Sequence, residues 1–168
     1  MKLWQTFAFA LFSSAVALNA QADSTTKSTK ATKTAQTNKE NVALKNFNSS
    51  VKIRFVERGM TQDDEGKPNA FFRYEIENKS KTPITYLNWI AVFTENQETL
   101  YARNIQIEFP KNAYFEPKKP LSIIVQVPLD ILPEKARIAF SNKQAEIDSV
   151  PVARELRYSN NKRIVIKQ

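Results

Sequence analysis

The chain has 168 residues, no Cys, no His, two Gly and a formal charge of +8, from 25 Lys and Arg against 17 Asp and Glu. That length suits one domain with one core rather than a two-domain enzyme. Without Cys and His there is no disulfide framework, no thiolate or Ser-His-Asp chemistry and no conventional zinc or copper site, and two glycines leave no phosphate-cradling loop.

Residues 1–22 read as a secretory signal peptide. Lys2 supplies a positive n-region, Leu3 to Leu18 is mostly apolar, and Ala20-Gln21-Ala22 is a small-x-small site before Asp23. The apolar stretch is shorter than the roughly 20 residues of a membrane span and carries Gln5, Thr6, Ser13 and Ser14, so no transmembrane segment is expected after processing. With no Cys to carry a lipid anchor, the expected destination is the periplasm, with secretion to the medium as the alternative. Residues 23–46 are rich in Thr, Lys, Ser and Ala and nearly free of large apolar side chains. Such a segment buries too little surface to offset its ordering entropy, so a disordered linker is expected. It holds five Lys against Asp23 and Glu40; a solvated spacer is the first reading and contact with an anionic envelope surface the second.

The remaining domain, 47–168, opens with Val51, Ile53 and Phe55 at alternate positions, a strand over 51–57. A loop follows over 58–69. Phe72, Tyr74 and Ile76 then alternate with Arg73, Glu75 and Glu77, which gives a half-buried strand one apolar and one charged edge. The polar turn 78–83 separates it from a second strand in which Leu87, Trp89, Ala91 and Phe93 share the core face. Thr94 to Thr99 is a polar connection, Leu100 to Arg103 a short edge strand, and Ile105, Ile107 and Phe109 a further strand that Pro110 stops. After a loop over 111–120, Leu121, Ile123, Val125 and Val127 mark a strand that ends at Pro128. Leu129 to Glu134 reads as a short turn of helix or an irregular crossover, and Ala136, Ile138 and Phe140 as another strand. After a polar link over 141–151, residues 152–158 and 163–167 form a closing hairpin across Ser159 to Lys162.

Short strands with turn signals about every ten residues predict an all-β fold, a single antiparallel β-sandwich of about seven to nine strands. One strand is apolar on both faces. Opposite Leu87, Trp89, Ala91 and Phe93 lie Ile84, Tyr86, Asn88, Ile90 and Val92, so a second layer is expected over that side. The C-terminal hairpin is one candidate for that layer, and a partner protein is the other. These five residues are the candidate binding site.

The residues Ile76, Asn78, Ser80, Pro83 and Ile84 form the phrase I-x-N-x-S-x-x-P-I, and with them the stretch from Phe72 to Phe140 resembles the immunoglobulin-like domains of the bacterial periplasm. The phrase is similar to the link between the second and third strands of FxLYD-type sandwiches, although Thr94 to Glu98 stands where those have an Asp-Gly turn. An Asn-x-Ser-x-x-Pro turn before a Trp-bearing strand, here with Trp89, and the later Leu132-Pro133 also resemble the N-terminal domain of pilus chaperones. The resemblance implies the fold. Those chaperones use basic residues between two domains, and this chain has room for one, so no anchoring residues are carried over.

Carboxylate and Ser-Lys chemistry are the catalytic routes left open. The acids lie mainly on alternating polar faces, which suits solvated or cross-strand paired roles; Glu108 and Glu116 are acids near the predicted end of the sandwich. Gln62 to Gly66 lacks the alternate-residue spacing of a calcium loop, so no metal site is assigned. Arg154, Arg157, Tyr158, Lys162 and Arg163 come nearest to a nucleic-acid face, but strand alternation turns half of them inward. The expectation is an exported, non-enzymatic module without cofactor that binds a protein or envelope component through a sheet face or edge. The alternatives are a chaperone acting by strand addition and, further behind, a small carboxylate hydrolase.

Overall fold

Residues 42–50 are helical (α1) and lead directly into β1 (Val51–Gln62). The computed structural model of the protein describes residues 42–167, so the expected signal peptide and the expected linker up to residue 41 lie outside the described residues. The last part of that expected linker, 42–46, is helical instead. Phe47 supplies the reason: it is 2% exposed and packs with the core, which ties this polar turn of chain to the sandwich.

β1 pairs antiparallel with β2 (Pro68–Asn78), and both strands run further than the alternation of apolar residues predicts. A bulge between Phe55 and Glu57 shifts the inward and outward positions, so the period is lost in the sequence while the ladder continues. At Gly59 the Phe71 ring lies so close across the ladder that a Cβ would come within 2.5 Å of it. The turn over 63–67 is closed by Asp63, whose Oδ1 accepts the N–H groups of Glu65 (3.0 Å) and Lys67 (2.8 Å), with Gly66 at φ 78°. The acidic stretch considered for calcium is therefore a hairpin turn.

β3 (Ile84–Glu95) and β4 (Glu98–Glu108) form one hairpin. Asn96 and Gln97 both take positive φ, 49° and 68°, the requirement of a two-residue turn matched to strand twist. The expected edge strand and its successor are thus a single strand. β5 (Pro120–Pro128) follows, bounded by prolines as expected, then a 3-10 turn at Leu129–Ile131.

The segment expected as a strand at 136, 138 and 140 is a helix, α2 (Glu134–Ser141). Pro133 and Glu134 suit a helix start. The buried set is Ala136, Ala139 and Phe140, a helical face, whereas Ile138 is exposed. Arg58 stops this helix: its guanidinium donates to the carbonyls of Phe140 (3.1 Å), Asn142 (2.9 Å) and Ala145. Burial lowers its pKa, opposed by the carboxylate of Glu95. β6 (Ile147–Tyr158) and β7 (Arg163–Val165) make the closing hairpin, with Asn161 at φ 63° in its turn.

The strands form two antiparallel sheets, ordered β1-β2-β5 and β4-β3-β6-β7. This is an all-β sandwich with the pairing of an immunoglobulin-like fold: β2 beside β5 in one sheet, and β3, β6 and β7 side by side in the other. Phe72 packs at 4.2 Å from Phe93 and 5.0 Å from Phe140, and Tyr74 lies edge-on to Trp89 at 5.9 Å. All five rings are buried between the sheets. The Tyr74 hydroxyl is paired with Ser149 Oγ at 2.7 Å, and burial pushes its pKa up to about 12, the hydrogen bond to Ser149 acting in the opposite direction.

The I-x-N-x-S-x-x-P-I phrase is a latch between the sheets. Asn78 is fully buried; its Nδ2 donates to the carbonyls of Thr82 (3.1 Å) and Phe115 (2.8 Å), and its Oδ1 accepts Ser80 N–H (3.0 Å) and Ser80 Oγ (2.7 Å). One side chain satisfies the backbone where the chain crosses from β2 to β3. The phrase therefore carries a structural function.

Candidate functional site

The outer face of the four-stranded sheet is built in rows set by strand register. Tyr86 lies between Glu108 on β4 and Arg157 on β6, and Asn88 between Gln106 and Glu155. Ile90 then lies between Asn104 and Val152, and Val92 between Ala102 and Val150. The first two rows are polar. The next two carry no charge and four β-branched side chains.

Within the polar rows Arg157, Glu155, Tyr86 and Asn88 contact one another. Arg157 Nε donates to Glu155 Oε1 at 2.7 Å while its guanidinium lies over the Tyr86 ring, 4.3 Å from the centroid. The Glu155 hydrogen bond, offset in part by burial, raises the Arg157 pKa above its ordinary value. Asn88 Nδ2 donates to the Tyr86 hydroxyl at 3.3 Å. Beside them a shallow depression of about 450 Å³ has Asn88, Ile90, Asn104 and Val165 among its lining residues.

The apolar rows have nothing above them. Val150 is 52% exposed, and Ile90, Val92 and Val152 are half-buried by their neighbours in the sheet. β7, a candidate cover, instead extends the sheet sideways by pairing with β6. Among the described residues no element packs across this face.

Four of the five sequence-derived site residues, Tyr86, Asn88, Ile90 and Val92, share this face. Ile84 does not: it is fully buried in the core. The β3–β6 register shifts between Ile84 and Tyr86, so strict alternation from Val92 places Ile84 on the wrong side. Val150 and Val152 belong to the patch and were missed as members of it. Their alternation with Ser149, Pro151 and Ala153 carries the signal, but Val150 falls in the polar stretch 141–151 ending at Pro151, which reads as a link, and Val152 at the first position of the predicted hairpin.

The outer face of the three-stranded sheet differs in kind. Lys52 lies opposite Glu77, Arg54 opposite Glu75 and Glu57 opposite Arg73. Arg54 and Glu75 form an ion pair, and Arg73 Nε donates to Glu57 Oε1 at 2.8 Å. No group of three or more acidic side chains able to hold a metal ion occurs among the described residues, and no helix there is long and apolar enough to cross a membrane.

A two-sheet sandwich with one charged outer face, and one outer face that is polar over two rows and apolar over two, defines the class of this protein. Residues 22–108 match the model of a domain of unknown function, DUF5067. The match covers just over half of the chain, and the chain belongs to that family. It ends with β4, so β5 and β6, which pair with β2 and β3, lie beyond the matched stretch. No curated protein and no solved structure matches the chain, and neither the FxLYD-type nor the pilus-chaperone family is found.

Proposed function

We propose that this protein is an exported, non-enzymatic binding module that holds a protein partner against the outer face of its four-stranded sheet. One observation carries this reading: Ile90, Val92, Val150 and Val152 form an uncharged patch on a sheet face that no described element covers. Apolar surface on an otherwise well-paired fold marks an interaction site. The missing His and Cys support a role without catalysis, and the signal-like leader supports export to the periplasm or beyond.

The test is crosslinking in intact cells followed by purification of the tagged protein. Enrichment of one partner by the parent chain, lost in Ile90→Asp and Val92→Asp variants that keep the parent's melting temperature within a few degrees, is expected. Retention of that partner by both variants would remove the face from the binding site. A second reading is strand addition at β4, whose 11 residues pair on one side only, with β3. In that case β4 amides, and not the Ile90 and Val92 substitutions, would respond to the partner in hydrogen exchange.

A further inference from the structure

Charge is unequal at the two ends of the sandwich. At the end where β1 begins, three turns, 79–83, 109–119 and 159–162, are tied into one cap. Lys118 N–H donates to the Asn78 carbonyl at 2.8 Å, Ser159 N–H to the Pro83 carbonyl at 2.9 Å, and Ile84 and Phe115 exchange two backbone bonds of 3.0 Å. These turns carry six lysines, Lys79, Lys81, Lys111, Lys118, Lys119 and Lys162, against one carboxylate, Glu116. All six are exposed. At the opposite end, the segments 63–67, 95–98 and 129–148 hold nine acids against four bases. The cap is thus +5 and the far end −5.

Pairing deepens the contrast. At the acidic end Lys67 bonds Glu65 at 2.6 Å and Lys135 bonds Glu98. Among the described residues, none of the six cap lysines forms an ion pair. Like charges gathered without counter-charges repel one another, and they are relieved by a surface dense in negative charge.

We propose that this cap docks on the surface of a bilayer containing anionic phospholipid, with the acidic end turned away. The lysines stand on three separate turns and not along one strand or groove, an arrangement that meets a plane of headgroups rather than the single line of a polymer. Ammonium groups suit such a plane, since they act as point charges and need no fixed bidentate partner. The path of the chain agrees. α1 leads into β1 at this end, where Ser50 accepts the Lys79 N–H at 2.8 Å. Attraction of one end and repulsion of the other sets an orientation, and it leaves the patch of Ile90, Val92, Val150 and Val152 on the side, free for a partner. The docking stands independently of that partner.

The test is co-sedimentation of the full chain with vesicles of phosphatidylcholine alone and of phosphatidylcholine with 30 mole per cent phosphatidylglycerol, about 30% anionic lipid as probe. The readout is the ratio of the two partition coefficients, because apolar insertion by the leader contributes to both. The ratio should exceed about tenfold at low salt and fall steeply by 0.3 M salt. A Lys79→Gln, Lys81→Gln, Lys118→Gln, Lys119→Gln variant should lose about tenfold or more of that ratio. A Lys67→Gln, Lys135→Gln, Lys143→Gln variant at the other end should keep it. An unchanged ratio in the first variant overturns the proposal, as does an equal loss in both, which would reflect net charge without a face. Binding to a soluble polyanion such as dextran sulfate without binding to anionic vesicles overturns it in favour of a polymer. Pelleting without vesicles overturns it in favour of head-to-tail self-association. Matching thermal melts of parent and variants exclude unfolding as the cause.

Discussion

The two outer faces of this sandwich obey the same alternation and end up with opposite chemistry. On the three-stranded sheet the outward residues of β1 and β2 meet as Arg54 with Glu75 and Arg73 with Glu57, so the face satisfies itself. On the four-stranded sheet two rows pair in the same way, Tyr86 with Arg157 and Asn88 with Glu155, but in the next two Ile90 meets Val152 and Val92 meets Val150, apolar pairs that gain from burial. The difference shows that a sheet face can be finished by its own cross-strand pairs or left to be finished by something else. Both faces are solvated; the three-stranded face exposes Ile124 on β5 beside Arg73, while the four-stranded face gathers its apolar residues into two adjacent rows.

The largest effect expected comes from the core both faces share, and it should appear without touching either. Tyr74 is neutral in the fold with a pKa near 12, while the unfolded chain ionises near pH 10. A pKa raised by folding contributes stability that is complete below about pH 10 and is lost as pH climbs through 12, about 2 to 3 kcal/mol in all. Urea titrations between pH 8 and 12 should show that decline. In Tyr74→Phe the part due to this residue should vanish, at the cost of the Ser149 hydrogen bond, about 1 kcal/mol at neutral pH. An identical slope in the variant would assign the decline to other groups.

Next is Gly59→Ala on the charged face. The new methyl meets the Phe71 ring, so either the ring swings off the ladder or the strands part, and destabilisation of about 1 to 3 kcal/mol is expected in chemical denaturation. A neutral outcome would show that the ring moves freely and that this face is looser than its ladder suggests. The smallest effect separates the faces most directly. A double-mutant cycle of Arg54→Ala and Glu75→Ala should give a coupling of about 0.2 to 1 kcal/mol that disappears in molar salt, since both side chains are exposed. Ile90→Thr on the other face should change stability by under about 1 kcal/mol at any salt concentration. A salt-sensitive Ile90 variant would mean that the uncharged face is not what its rows indicate.

Much of this architecture was legible in the sequence because solvent sorts alternating residues. Phe72, Tyr74 and Ile76, and Leu87, Trp89, Ala91 and Phe93, all lie in the core as their spacing predicts. Reading failed where the period changed within an element or between elements. Bulges concealed the length of β1 and turned Ile84 inward. At 134–141 three apolar residues fit period two as sequence, but the helical set of Ala136, Ala139 and Phe140 is the one the core accepts. Of the binding patch, the β3 half was visible because it lies on one strand next to a core face. Of the β6 half, Val150 was hidden by Pro151 and its polar surroundings, which read as a link, and Val152 stood at the start of a predicted strand whose neighbour was not known.

The sequence by itself determined the all-β class, the core aromatics, the turn chemistry at Asn78 and Asn161, and the chemistry that missing His and Cys exclude. These follow from local periodicity, backbone preference and side-chain inventory, and none requires distant residues to meet. Only the tertiary structure decided which strands became neighbours. It set Ile90 beside Val152, brought Arg58 to the end of α2, and gathered six lysines from three separate turns at one end. Register and the crossing between sheets fix such meetings. They depend on how the whole core packs, which no stretch of alternating residues records.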